Sequence, residues 1–250
     1  MHQVNPDIIE AGARSVIDRY LFLPVGAHPS CPYFNNRRRG TKSNLRVLVG
    51  KGTPEEISEE CEIRALQNRV SISVLSVEGL KEFMISQDLG VDCSGFAYHV
   101  LTATLAERRG RRLASLIQTR RQGFIGKTIA KLRPAENIGV ATLADERNSV
   151  EIKASEASAG DIVTFMGAGR DGTYNHVIVI TKVERKEAAT RLSYAHSYAW
   201  PEDGSFGHGV REGTAVIYGD DLGTAVWSEP GLGTMNAKER SVRRLRAFME

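Results

Sequence analysis

The chain has 250 residues, 41% hydrophobic and 25% charged, with a net charge of +3. These are the proportions of an ordinary globular protein, and they exclude a disordered, collagen-like or coiled-coil chain. With 33 basic against 30 acidic side chains, the charge is too even to point to nucleic acid as a partner.

The first twenty residues lack a basic start followed by an apolar run, so no secretory signal is read there. No stretch approaches 18 apolar residues, so no membrane span is expected. The expected location is the cytoplasm, or the cell wall after lysis or a dedicated secretion route. Pro6 to Tyr20 carries Ile8, Ile9, Ala13, Val16 and Ile17 close to helical spacing. Pro24 to Lys51 reads as loop, with a short strand at Leu45 to Val49. Thr53-Pro54-Glu55-Glu56 is a helix start: a Thr cap, Pro in the first turn and Glu three residues after the cap. That helix is expected to run to about Asn68, and Ser76 to Ser86 to form another.

Asp92 caps the next helix, which keeps Phe96, Val100, Leu101, Thr104 and Leu105 on one side and ends at Gly110. Arg111 to Leu132 reads as mostly helical, interrupted by Gly123 and Gly126. Asn137 to Ser158 is polar and irregular, with one short strand at Val150 to Lys153. From Gly160 the pattern changes to short strands rich in Val, Ile, Tyr and Thr: Asp161 to Met166, Asn175 to Val183, Leu192 to Tyr198, Thr214 to Tyr218 and Ala225 to Ser228. Ser241 to Phe248 fits a strand or a helix. Helices first and strands after is the α+β signature.

The three cysteines, Cys31, Cys61 and Cys93, match no zinc spacing. At least one thiol is free; the other two fit either a disulfide or a reduced compartment. Arginines cluster at 37–39, 108–112 and 240–246. They fit solvated faces, or attraction to an anionic polymer.

Asp92-Cys93-Ser94-Gly95-Phe96 is the most informative segment. Its cap sets Cys93 in the first turn of a helix, where backbone N–H groups lower a thiol pKa and can face an oxyanion. Ser94 and Gly95 are small and leave room for substrate, and Phe96 anchors the helix. His176 opens a strand that follows a Gly-rich connection. There it can take the thiol proton to give a thiolate–imidazolium pair. His196, on the neighbouring strand, can hold the His176 ring in one tautomer. Asn175, Asp161 and His208 are weaker candidates for that role. His208 lies between two glycines and reads as mobile or substrate-facing. His99 is too far along the Cys93 helix to serve as base.

In order along the chain, Asp92-Cys93-Ser94-Gly95-Phe96, Gly160-Asp161-Ile162-Val163-Thr164-Phe165, His176-Val177-Ile178-Val179 and Ala195-His196-Ser197 resemble the motifs of the NlpC/p60 family of cell-wall cysteine peptidases. The likeness covers roughly 90–218. It implies a papain-like core, a nucleophile helix packed on an antiparallel sheet. It also implies hydrolysis of peptide bonds in peptidoglycan stems, with Cys93 attacking, His176 moving the proton and His196 orienting His176. Asp92, Ser94, Asn175 and His208 are expected to contact substrate. The partner expected is peptidoglycan or a peptide; no metal or organic cofactor is implied. Between Cys93 and His176 lie more positions than the compact family core needs, so an insertion is expected at about 110–158. The 20 positions from His176 to His196 allow a loop around Glu184 to Thr190. Residues 1–89 read as a mostly helical segment outside the resemblance, and Tyr20, Tyr33 and Phe34 as core residues or cleft lining. Two further readings stay open: a papain-like acyltransferase, deamidase or effector with an intracellular substrate, and a non-catalytic binding module that retains the fold.

Overall fold

Capping chemistry marks the helix starts. Thr53 Oγ1 accepts from the Glu56 N–H at 3.3 Å, and Glu56 Oε2 accepts from the Thr53 N–H at 2.9 Å. This reciprocal pair opens α2, Pro54–Asn68. Ser76 caps α3, Val77–Ser86, through the Gly79 N–H. Asp92 caps α4, Cys93–Arg109, which stops where Gly110 turns left-handed at φ 62°. Thr53→Ala should lower the unfolding free energy by about 1 kcal/mol. Urea titration checks this, and an unmoved midpoint would show that the box adds no stability.

The computed structural model describes residues 5–36, 45–119, 128, 132–169, 171–200 and 204–249. Its first helix, α1, is Ala11–Leu21, shorter than the apolar spacing suggested. The residues before it are extended. Ile9 N–H donates to Thr181 O and Val183 N–H to Asp7 O, each at 2.9 Å. The apolar side chains of Ile8 and Ile9 thus belong to a strand-like entry, not to a helix face. The strand expected at Leu45 to Val49 is a 3-10 turn, Arg46–Val49. Only Val47 of that turn is buried, and Gly50, at φ 73°, redirects the chain so that Lys51 bridges Val91.

In the helical stretch expected at Arg111 to Leu132, Leu113–Leu116 is one turn followed by extended backbone at Ile117, and Thr128 and Leu132 are helical; Gly123 and Gly126 lie outside the described residues. The polar stretch after it holds β1, Ser149–Ile152. The remaining strands are β2, Ile162–Ala168; β3, Tyr174–Lys186; β4, Ala189–Tyr198; β5, Gly209–Tyr218; β6, Val226–Trp227; and β7, Glu239–Leu245. The C-terminal segment that fitted strand or helix is β7 followed by a 3-10 turn, Arg246–Phe248.

The fold is α+β. Among the described residues the sheet has seven strands in the order β1-β7-β2-β3-β4-β5-β6, antiparallel throughout. No loop interrupts Glu184 to Thr190: β3 and β4 pair out to Lys186 opposite Ala189. The charged side chains there sit on exposed strand positions, so they mark a solvated hairpin end. The strand expected at Thr214 begins at Gly209 instead, because Val210 N–H donates to Cys31 O at 2.9 Å.

Each sheet face buries its own core. On one face Val177, Val179, Ala195 and Leu245 pack with Ile17 of α1 and Phe96, Val100 and Leu101 of α4. This core runs from Ile9 to Phe248, so the first 89 residues are built into it. On the other face Phe165, Ile178, Tyr194, Trp227 and Val242 pack together. Two of the arginine clusters supply internal ties. Arg108 pairs with Glu10, Arg244 forks onto Asp161, Arg243 is buried against Ser149, and Arg240 donates to Gly233 and Met235 carbonyls. Arg109, Arg111, Arg112 and Arg246 are exposed, so part of each cluster is the solvated face that the sequence suggested. Arg37, Arg38 and Arg39 lie outside the described residues. Cys31, Cys61 and Cys93 are all free and buried. No described helix is long and apolar enough to cross a membrane.

Candidate active site

The sheet opens where α4 begins. β3 and β4 pair from Lys186 opposite Ala189 back to Val179 opposite Ala195. Past that end, both strands meet the N-terminus of α4. Ser197 Oγ donates to Val91 O at 2.7 Å, and the Cys93 thiol to Asn175 O at 3.9 Å. The Val177 N–H also faces the sulfur. His176 is the residue between these two backbone contacts. The long separation in sequence between Cys93 and His176 is thus closed by packing.

The two histidines join directly. His176 Nε2 and His196 Nδ1 are 2.8 Å apart, and both rings are buried. His196 Nε2 lies 2.8 Å from Glu229 Oε2. The buried Nδ1 of His176 has no hydrogen-bond partner. Phe165 and Tyr198 flank the ring at 6.0 and 4.7 Å between centroids. Tyr198 in turn contacts Tyr33 and Trp200. Tyr33 therefore stands beside the site, while Tyr20 is core, edge-on to Phe96 and bonded to Gly52 O.

The charges behave differently from the expectation. A helix N-terminus was expected to lower the Cys93 thiol pKa. Burial first, then the Asp92 carboxylate, push it up to about 12; Lys51 and the N–H groups of Val177 and Ser94 pull it down without prevailing. The reason is that the helix end lies inside the protein, with Cys93 only 5% exposed, so a thiolate would lose its water. His176 moves the opposite way. Burial first, then the neighbouring His196 and Arg211, hold its pKa well below 6.5. Both shifts favour a neutral thiol and a neutral imidazole at rest, in place of the ion pair expected from the sequence.

The expected substrate contacts have other partners. Asp92 accepts from Gly95 N–H, Ser94 Oγ and Lys51 Nζ at 2.7, 3.0 and 2.7 Å. Ser94 Oγ also accepts from Lys51 at 2.5 Å, and all three side chains are buried. Gly95 is small for a packing reason: a Cβ there would fall 2.6 Å from Gly50 O. Asn175 Oδ1 accepts from the Gly167 N–H, bracing the irregular end of the β2–β3 pair. His208 Nδ1 accepts from the Tyr33 N–H at 3.0 Å, so it anchors the segment beside the cysteine. Gly209, at φ 118°, lets that segment approach; a Cβ there would stand 2.1 Å from Cys31 O. Asp161 lies just before β2, four residues from Phe165, held by Arg244 and the Ser158 N–H, and is not the partner of His176. His99 is half-buried with Nε2 on Lys51 O, so it braces the loop before the helix.

Sequence reasoning missed Glu229 and Lys51. Each stands alone in its local sequence, with no motif around it. Lys51 reaches Asp92 only because the turn at Gly50 brings it there. Glu229 reaches His196 only because β4, β5 and β6 are neighbours. A buried position for a Glu in a Ser-Glu-Pro-Gly turn carries no local signal. Among the described residues, no three His, Cys, Asp or Glu side chains gather to hold a metal ion.

No protein-family model matches the chain, and neither does any curated protein or solved structure.

Proposed function

We propose that this chain is a cysteine hydrolase acting on peptide or amide bonds, with peptidoglycan stem peptides as its substrate class. One observation carries the chemistry: the buried His176 ring, bonded through Nε2 to His196, leaves its other nitrogen without a partner next to the strand contacts of the Cys93 sulfur. A buried ring nitrogen normally finds a partner. An unpartnered one on the strand that the Cys93 sulfur touches suits a base. The substrate class rests on the motif order noted above.

In this mechanism the resting pair is neutral. As Cys93 Sγ bonds to the substrate carbonyl carbon, its proton passes to His176 Nδ1 and the C=O π electrons move to oxygen. The N–H groups at the start of α4 face that oxyanion. The tetrahedral species collapses, the C–N bond breaks, and His176 returns the proton to the leaving amine. Water, giving a proton to the same nitrogen, then adds to the thioester carbon; the C–S bond breaks and His176 returns that proton to the Cys93 sulfur.

Purified peptidoglycan digested with the wild-type protein should release stem-peptide fragments seen by mass spectrometry. Cys93→Ala should release none while its near-UV circular dichroism is unchanged. Equal release by both proteins would end the proposal. Release from neither, with Cys93 still acylated by a simple peptide thioester, would keep the nucleophile and move the substrate elsewhere.

A further inference from the structure

We infer that Glu229 is a positioning residue that sets the protonation pattern of both histidines, extending the relay to Cys93–His176–His196–Glu229. The inference rests on the hydrolase reading. It begins from which groups can donate. Glu229 Oε2 accepts from Tyr194 Oη at 2.9 Å and lies 2.8 Å from His196 Nε2. Glu229 Oε1 accepts from Trp200 Nε1 at 3.3 Å and forms an ion pair with Arg211 Nε at 2.9 Å. Although burial pushes the carboxyl up, the His196 bond, the charge of Arg211 and the Tyr194 bond hold it below the usual carboxylate range. An ionised carboxylate only accepts.

The protonation of the rings follows in sequence. A neutral His196 carries its one proton on Nε2, facing the carboxylate, so its Nδ1 is a bare lone pair. That lone pair can only accept, so His176 must carry its proton on Nε2 at the 2.8 Å contact. Its Nδ1 is then bare, which is the form a base for Cys93 needs. One carboxylate thus decides, through two rings, whether the second nitrogen of His176 can take a proton.

Glu229→Gln turns this logic around. Arg211 and Trp200 can only donate, so they draw the amide oxygen to the Oε1 side. The amide NH2 then faces His196 Nε2, which must accept. His196 is forced to the Nδ1–H form, His176 Nε2 to accept, and His176 Nδ1 to carry the proton. The base is blocked although size and packing are unchanged. Tyr194→Phe is the control: it removes a bond to the same carboxylate and leaves the tautomers alone.

The test combines 15N NMR of the histidine rings, at pH 7 and without substrate, with muropeptide kinetics. In the wild type, His176 Nδ1 should give a pyridine-type signal and Nε2 a pyrrole-type one; Glu229→Gln should exchange them. That variant should lower kcat by about 100- to 10,000-fold with little change in KM, and Tyr194→Phe by less than about 10-fold. A pyrrole-type His176 Nδ1 in the wild type, or unexchanged signals in a folded Glu229→Gln, overturns the inference. The hydrolase reading is checked apart from it, by the rate of Cys93 alkylation with iodoacetamide. If His176→Ala leaves that rate unchanged, the hydrolase reading fails whatever Glu229 does. If His176→Ala lowers it and Glu229→Gln does not, only the role of Glu229 fails.

Discussion

His176→Ala should slow cleavage of a stem peptide by about 100- to 10,000-fold, the usual weight of a positioned general base. The pH profile should separate this loss from a packing defect. In the wild type the neutral ring is the active form, and its pKa is held well below 6.5 by burial, then by the His196 and Arg211 neighbours. Activity should therefore persist at pH 6 and fall only at lower pH, as His176 takes a proton. Without the ring, only thiolate is nucleophilic, and burial pushes the Cys93 thiol up to about 12. The rate of His176→Ala should then climb close to 10-fold per pH unit across the neutral and alkaline range, as each unit deprotonates more thiol. Initial rates from pH 5 to pH 10 on one muropeptide decide the matter. A flat alkaline profile in His176→Ala would mean that another group serves as base.

Lys51→Met should cost about 3–5 kcal/mol of stability. Lys51 Nζ and Asp92 Oδ1 are 2.7 Å apart, with each side chain only 10% exposed. Removing the ammonium leaves a buried carboxylate held by the Gly95 N–H and Ser94 Oγ alone. Breaking one partner of such a pair is far costlier than removing both, because the surviving charge stays desolvated. Lys51→Met combined with Asp92→Asn should therefore recover most of the loss. Urea unfolding of both single variants and the double variant measures this. A loss under about 1 kcal/mol in Lys51→Met would place the pair among weak surface contacts. The same variant should further slow Cys93 alkylation, since Lys51 is one of the groups that pull the thiol pKa down.

The pair and the relay differ in how far sequence could find them. Asp92, Cys93 and Gly110 were readable because capping is local: a side chain meets a backbone N–H three residues on, and glycine alone is at ease past the last turn. His176 and His196 were readable because each sits in a short run rich in Val, Ile, Tyr and Thr, on a hairpin whose pairing follows from chain order. The 3-10 turn at Arg46–Val49 was misread because an apolar run of that length fits a strand unless one knows that it has no neighbour to pair with.

What the sequence alone determined is therefore the α+β order, the helix that begins at Cys93 and the two strands bearing the histidines. Tertiary packing decided the rest. It spread the opening between β3 and β4 around the start of α4, brought Lys51 under Asp92 and carried Glu229 across β5 to His196. It also reversed the expected thiol pKa, because a helix end raises or lowers a charge according to whether water reaches it. Local chemistry is written every three or four residues along the chain. Burial and long-range contacts depend on which surfaces meet, and no short stretch of sequence specifies that.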